Sequence, residues 1–88
     1  MCSSDLAAQR QFNSGNYSAA ISTLQGVTTQ NSSNAEAFYW LGRCYYELKD
    51  YDNAITAAEK SVTLDPKNSI FHEWLGRIYG GKADRDRS

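Results

Sequence analysis

The chain of 88 residues is poor in cysteine, proline and histidine, and it carries a net charge of only −1. Its two cysteines, Cys2 and Cys44, are too few and too far apart for a disulfide framework or a zinc cluster. The near-zero net charge argues against a nucleic-acid binder that depends on phosphate contacts. No apolar run approaches the roughly 18 residues of a transmembrane helix, so no membrane partner is expected. We therefore expect one small folded domain with no metal and no cofactor.

Residues that would carry catalysis are also sparse. His72 is the single histidine, and no cluster of cysteines or carboxylates stands near it at ligand spacing, so we expect it to pack at a helix interface. Residues 76–82 have the spacing of a phosphate-binding loop, but Ala83 follows the lysine where magnesium needs a hydroxyl, and no strand precedes the segment. No serine lies in a Gly-x-Ser-x-Gly turn. The sequence predicts no catalytic residue, and we do not expect an enzyme.

What the chain does contain is an internal repeat of 34 residues. Residues 40–45, Trp-Leu-Gly-Arg-Cys-Tyr, recur as residues 74–79, Trp-Leu-Gly-Arg-Ile-Tyr, with five of six positions identical. The same offset relates three further pairs of residues, Tyr17 with Tyr51, Ala20 with Ala54 and Ile21 with Ile55. The chain therefore divides into one degenerate unit, one complete unit and half a unit, at residues 5–34, 35–68 and 69–81.

The apolar period inside the complete unit is helical. Leu41 and Tyr45 share one face of its first segment, and Ala54 and Ala58 share one face of its second. Gly42 and Ala54 are small, which lets the two helix axes approach closely. We predict a hairpin of two antiparallel helices for each full unit. Five helices are expected in all, at about residues 5–14, 17–30, 35–48, 51–64 and 69–81, and no strand.

Capping residues support the predicted helix starts. Ser33 and Glu36 have capping-box spacing before the third helix, and Asn34 is the competing cap. Asp50 and Asn68 are placed to cap the fourth and the fifth helix.

At these residues the sequence resembles the tetratricopeptide repeat. The family's pattern of large, small and aromatic residues is matched in the complete unit by Phe38, Leu41, Gly42, Tyr45, Ala54, Ala58, Ser61 and Pro66. The resemblance implies an all-α solenoid of α-hairpins wound into a right-handed superhelix, here with about two and a half repeats in five helices. It also implies a non-catalytic scaffold for protein–protein interaction, whose first helices line a concave groove that binds a peptide or a helix of a partner.

The family's groove-facing places map onto candidate binding residues in this chain: Gln9, Phe12, Tyr39, Arg43, Tyr46, Glu73 and Arg77. Tyr39, Arg43 and Tyr46 lie at i, i+4 and i+7 of one helix, and two tyrosines beside an arginine are typical of interface hot spots. Arg77 repeats the place of Arg43 one unit later, and two guanidinium groups in one groove would suit a carboxylate of a partner. The alternative interpretation is an ordinary exposed helix face, on which Glu73 neutralises an arginine.

Further predictions concern the two ends of the chain. We expect residues 1–4 to be a non-native or disordered start, residues 5–81 the repeat domain, and residues 82–88 a charged tail. The last helix is too apolar for a terminal cap, so self-association is expected through Ile70, Phe71, Trp74 and Ile78. The alternative is a fragment or accessory repeat region of a larger enzyme or of a secretion or assembly protein. The cytoplasm is the default location, and export is expected if the chain is a fragment that has lost a signal peptide.

Overall fold

The structure is a computed structural model that describes residues 3–87, with side chains described for residues 6–86. It contains five α-helices joined by short turns, and residues 3–87 include no strand. The helices are α1 (Ser3–Asn13), α2 (Tyr17–Gln30), α3 (Ala35–Glu47), α4 (Tyr51–Leu64) and α5 (Ser69–Arg87). The all-α prediction with five helices is confirmed.

The helices stack in the order in which they follow along the chain. Each helix packs against the next one, and α3 also contacts α1 and α5. The first helices of the three units, α1, α3 and α5, are therefore neighbours on one side of the stack, with α2 and α4 on the other. We call this side the α1/α3/α5 side.

Small residues form much of the core and set the distance between the helices. Ala20, Ala54 and Cys44 are fully buried, and Gly42 is buried beside α4. A Cβ atom on Gly42 would meet the backbone oxygen of Ala54 at 3.3 Å and the backbone nitrogen of Ala58 at 3.4 Å. The prediction that small side chains permit close approach of α3 and α4 is confirmed.

The turns of the first two units have the same backbone hydrogen bonds. The amide of Gly15 donates to the carbonyl oxygen of Phe12 at 3.0 Å, and the amide of Lys49 donates to that of Tyr46 at 3.0 Å. Gly15 and Lys49 lie 34 positions apart, and both have positive φ, +85° and +64°. Lys49 thus adopts the left-handed conformation that its counterpart in the first unit adopts as glycine.

Of the capping predictions, Asn34 and Asn68 are confirmed, whereas the capping box of Ser33 and Glu36 is not formed because Asn34 is the cap of α3. Asn34 caps α3, since its Oδ1 accepts from the backbone amide of Ala37 at 3.2 Å. Asn68 caps α5 by accepting from two backbone amides of the first turn, at 3.0 and 3.3 Å. The prediction for Asp50 is wrong, because its carboxylate makes no capping hydrogen bond and accepts from the Asn53 side chain at 2.7 Å instead.

Helix α5 continues well past the predicted end at residue 81, and the segment 82–87, predicted as a charged tail, is helical. Contacts with the preceding helices account for the difference. A Cβ atom on Gly81 would lie only 2.8 Å from Cε1 of Tyr51, so the absent side chain lets α5 approach this ring. At the next residue, Nζ of Lys82 pairs with Oδ1 of Asp52 at 2.9 Å. These contacts join the end of α5 to α4, although each interior glycine costs a helix roughly 1 kcal/mol.

The predicted start over residues 1–4 is only partly covered by the structure. Residues 1 and 2 lie outside the described residues, whereas Ser3 and Ser4 belong to α1. The division of the chain into a start, a repeat domain and a tail remains a prediction.

Candidate functional site

A cluster of aromatic residues around one arginine occupies the α1/α3/α5 side. It has Arg43 of α3 at its centre, and α1 and α5 contribute from either side. We call it the arginine cluster, and its members are Phe12, Tyr39, Trp40, Arg43, Tyr46, Trp74 and Arg77.

The guanidinium group of Arg43 is surrounded by rings from all three units. Its Cζ lies 4.7 Å from the ring centroid of Phe12, 4.7 Å from that of Trp40 and 4.6 Å from that of Trp74. The ring centroid of Tyr39 is 5.6 Å away. These distances fall within the range of cation–π attraction. The guanidinium group of Arg43 thus contacts aromatic rings of α1, α3 and α5.

The rings also contact one another. Phe12 meets Trp40 edge-on at 5.3 Å between centroids, and Trp74 meets Tyr46 edge-on at 5.6 Å and Tyr39 at 6.4 Å. Such edge-to-face pairs add to the energy of burial. All of these aromatic residues are only half-buried, so the cluster is held in place and still reaches the surface.

The two arginines of the cluster differ in their partners. Nη2 of Arg77 lies 3.4 Å from Oε1 of Glu73, in an exposed ion pair one helical turn apart. Arg43 forms no ion pair among the described side chains, and its Nη1 donates to the hydroxyl of Tyr39 at 3.3 Å. Nε of Arg43 is buried and has no hydrogen-bond partner. The centre of the cluster therefore keeps an unneutralised positive charge.

Most of the predicted groove residues converge in this cluster. Phe12, Tyr39, Arg43, Tyr46 and Arg77 all take part in the ring and guanidinium contacts. The other two predicted residues are placed differently: Gln9 is half-buried on α1 and Glu73 is exposed beside Arg77. Their role in binding remains a prediction.

Trp40 and Trp74 are members of the cluster that the groove prediction left out. Each lies three residues before an arginine of the repeated hexapeptide. Residues three apart on a helix are neighbours, so the sequence contained a signal that the tryptophans stand beside Arg43 and Arg77.

The four residues of the predicted self-association face lie in different surroundings, and self-association itself remains a prediction. Phe71 is 5% exposed and Ile78 is fully buried, because both point towards the preceding helices. Trp74 belongs to the arginine cluster, and only Ile70 is well exposed, at 52%. The four residues therefore do not form one outer surface.

Histidine and cysteine side chains can act as bases or nucleophiles, and His72 and Cys44 are the described examples. His72 is exposed with Nε2 2.7 Å from the carbonyl oxygen of Pro66, so its predicted packing at a helix interface is wrong. Within the described residues α5 packs only against α4 and α3, and neither covers the His72 side chain. Burial raises the pKa of the Cys44 thiol to about 11, and the Glu47 carboxylate adds to the rise, while Arg43 opposes it. A buried, protonated thiol is a poor nucleophile.

Two other kinds of feature are absent from residues 3–87. No group of three or more histidine, cysteine, aspartate or glutamate side chains in this range is arranged to hold a metal ion. Also within this range, no helix has the length and apolar character needed to cross a membrane.

Comparison with known proteins places these features in a family. The family model of the tetratricopeptide repeat matches residues 6–69. A crystal structure of MamA protein is similar with a TM-score of 0.82 and 32% identity, over 91% of this chain and 44% of that one. A second crystal structure of MamA has a TM-score of 0.82 and 33% identity, over 90% of this chain and 46% of that one. This chain spans less than half the length of either MamA chain. No curated protein sequence matches it.

Proposed function

This chain belongs to the tetratricopeptide repeat family, and on that premise we propose that its α1/α3/α5 side binds a peptide or a helix of a partner protein. Tetratricopeptide repeats are generally scaffolds for protein interaction, without catalytic activity. The proposal for this chain is narrower, since it assigns the binding surface to the arginine cluster.

The observation that carries the proposal is the half-buried state of the cluster. Two tryptophans, two tyrosines and two arginines stand together on one side, and these three residue types dominate interface hot spots. Their contacts with one another hold the side chains in place before a partner arrives, which lowers the entropy lost on binding. Arg43 lacks an acidic partner among the described side chains, so the surface also provides hydrogen-bond donors and a positive charge for a partner.

The chemistry of the remaining residues supports a scaffold rather than an enzyme. The Cys44 thiol is buried with a raised pKa, and the His72 ring is engaged with a backbone carbonyl. Neither has a carboxylate bonded to it that would form a catalytic pair.

The test is selection of binding peptides from a random display library with the full chain as bait. Peptides that bind through the cluster will lose binding to the double variant Tyr39→Ala/Arg43→Ala. They will keep binding to the matched control Thr29→Ala/Thr63→Ala, which changes exposed residues of α2 and α4. Circular dichroism verifies that both variants are folded. Selected peptides that bind both variants equally well would refute the proposed surface.

A further inference from the structure

The side-chain surroundings of Arg43 leave part of its hydrogen-bonding capacity unused. A guanidinium group has five N–H donors and no acceptor. Nη1 donates to the Tyr39 hydroxyl, Nε is buried without a partner, and Nη2 donates to no group within the described part of the chain. The cations in the ion pairs of the described side chains are others, Arg77, Lys82 and Arg85.

The rings that surround Arg43 attract its charge but do not neutralise it. Phe12, Trp40 and Trp74 each place a ring centroid within 4.7 Å of Cζ. Removing water from a cation in this way strengthens any later bond to an anion, because the local dielectric is lower. The same rings fix the orientation of the guanidinium plane, so less freedom is lost when a planar acceptor binds.

We propose that Arg43 binds the carboxylate of an aspartate or glutamate in the partner segment, with apolar partner residues on either side packing against Trp40 and Trp74. This inference rests on the proposed function, and it specifies the chemistry that the surface selects. Charge-assisted hydrogen bonds between a guanidinium and a carboxylate are stronger than bonds between neutral groups. A partner carboxylate therefore pairs with the positive charge of Arg43, and the apolar residues beside it pack against the rings.

A single carboxylate fits the site better than a polyanion such as a nucleic acid. Glu73 already pairs with Arg77 at the edge of the cluster, so the surface carries one unpaired guanidinium rather than a track of them. The net charge of the whole chain is −1, which gives no long-range attraction for a phosphate backbone.

Tryptophan fluorescence provides a direct readout, because the only two tryptophans of the chain both lie against Arg43. Peptides selected from the display library are titrated into the full chain at neutral pH. We expect the selected sequences to be enriched in aspartate or glutamate next to apolar residues. Replacing that acid by its amide in the synthetic peptide is expected to weaken binding by about tenfold or more.

Two protein variants accompany the peptide pair. Arg43→Lys keeps the charge but loses the planar donors, and we expect about tenfold weaker binding of the acidic peptide. Arg10→Lys changes an exposed arginine of α1 and is expected to leave binding unchanged. The peptide substitution needs no change in the protein, so the test holds even if Arg43→Lys fails to fold.

The outcomes separate this inference from the proposed function. Peptides that require Tyr39 but bind equally well with the acid replaced by its amide would overturn the carboxylate assignment alone. Selected peptides that ignore the cluster would overturn the proposed surface as well. An oligothymidylate of matched length that changes tryptophan fluorescence at lower concentration than the acidic peptide would assign the site to phosphate instead, against our inference.

Discussion

Gly42 and Gly76 occupy the same place in two copies of one hexapeptide, yet only Gly42 is covered by a helix. A Cβ atom on Gly42 would touch the backbone of α4 at 3.3 Å, whereas a Cβ atom on Gly76 would have nothing within 4 Å. The difference arises because α3 has α4 as its hairpin partner, while α5 has no partner at that face within residues 3–87. The same residues therefore meet different constraints in the two units.

This relationship predicts opposite effects of one substitution at the two sites. Gly42→Ala is expected to lower the free energy of unfolding by about 1 kcal/mol or more, because the new methyl group forces α3 and α4 apart. Gly76→Ala is expected to raise it by up to about 1 kcal/mol, because alanine favours the helix and the site is open. Urea unfolding followed by circular dichroism measures both values.

The flanking residues are nearly identical, so each variant is the control of the other. Equal effects of the two substitutions would contradict the difference in packing between α3 and α5. A large destabilisation by Gly76→Ala would indicate that this face of α5 is covered in solution.

The turn between α3 and α4 gives a second prediction. Lys49 has φ +64° where the equivalent Gly15 has φ +85°. Lys49→Gly is expected to stabilise the chain by about 0.5–1 kcal/mol, since glycine adopts this conformation without a steric cost. Gly15→Ala is the reciprocal variant and is expected to destabilise by about 1 kcal/mol. Thermal melts of both variants check the pair, and a lower melting temperature for Lys49→Gly would count against the assigned turn.

Much of the fold could be predicted from the sequence because the same helical pattern occurs more than once along the chain. Residues 40–45 and 74–79 share five of six positions, and the small residues Gly42 and Ala54 indicated where two helices come together. These signals are local, since they depend on helical period and on side-chain size along one segment.

The errors came from contacts between distant segments. The helical state of residues 82–87 depends on the close approach of Gly81 to the Tyr51 ring and on the ion pair of Lys82 with Asp52. Neither contact can be predicted from the residues next to it in the sequence. The position of Trp74 was misassigned for a related reason. Helix α5 has apolar residues on more than one face. The contact of Trp74 with Arg43 of α3 determines which of these faces belongs to the arginine cluster.

The ion pair between α4 and α5 gives a pH-dependent prediction. The hydrogen bond from Lys82, together with its charge, holds the pKa of Asp52 below its ordinary value. Since the folded pKa is lower than the unfolded one, the pair stabilises the chain above about pH 4 and this contribution is lost as the pH falls through the folded pKa. We expect an NMR titration to show that Lys82→Gln returns the pKa of Asp52 to its ordinary value.

The control for this titration is Lys67→Gln, which changes an exposed lysine in the loop before α5. It is expected to leave the pKa of Asp52 where it is in the unmodified chain. A pKa of Asp52 that does not respond to Lys82→Gln would argue against the docking of the C-terminal part of α5.

The thiol of Cys44 gives a prediction about reactivity. Its side chain is fully buried and its pKa is raised to about 11, mainly by burial. In a Cys2→Ser variant at pH 8, we expect iodoacetamide to modify Cys44 about 100-fold more slowly in the folded chain than in urea. Rapid labelling of the folded chain would show that Cys44 is not in the core.

The raised pKa of the Cys44 thiol also leads us to expect a change in the unfolding free energy at high pH. Because the folded pKa lies above the unfolded one of about 8.5, the thiol's contribution is complete below pH 8.5 and is lost as the pH rises towards 11. Cys44→Ala removes this titration, so its unfolding free energy is expected to fall less over that interval than that of the unmodified chain.

The central claim, that the α1/α3/α5 side is the binding surface, is tested most directly by hydrogen–deuterium exchange of the full chain with and without a selected peptide. We predict slower exchange on binding in α3 and in the part of α5 that surrounds Trp74, with no change in the exposed turns of α2 and α4. Slower exchange confined to α2 and α4 would contradict the claim.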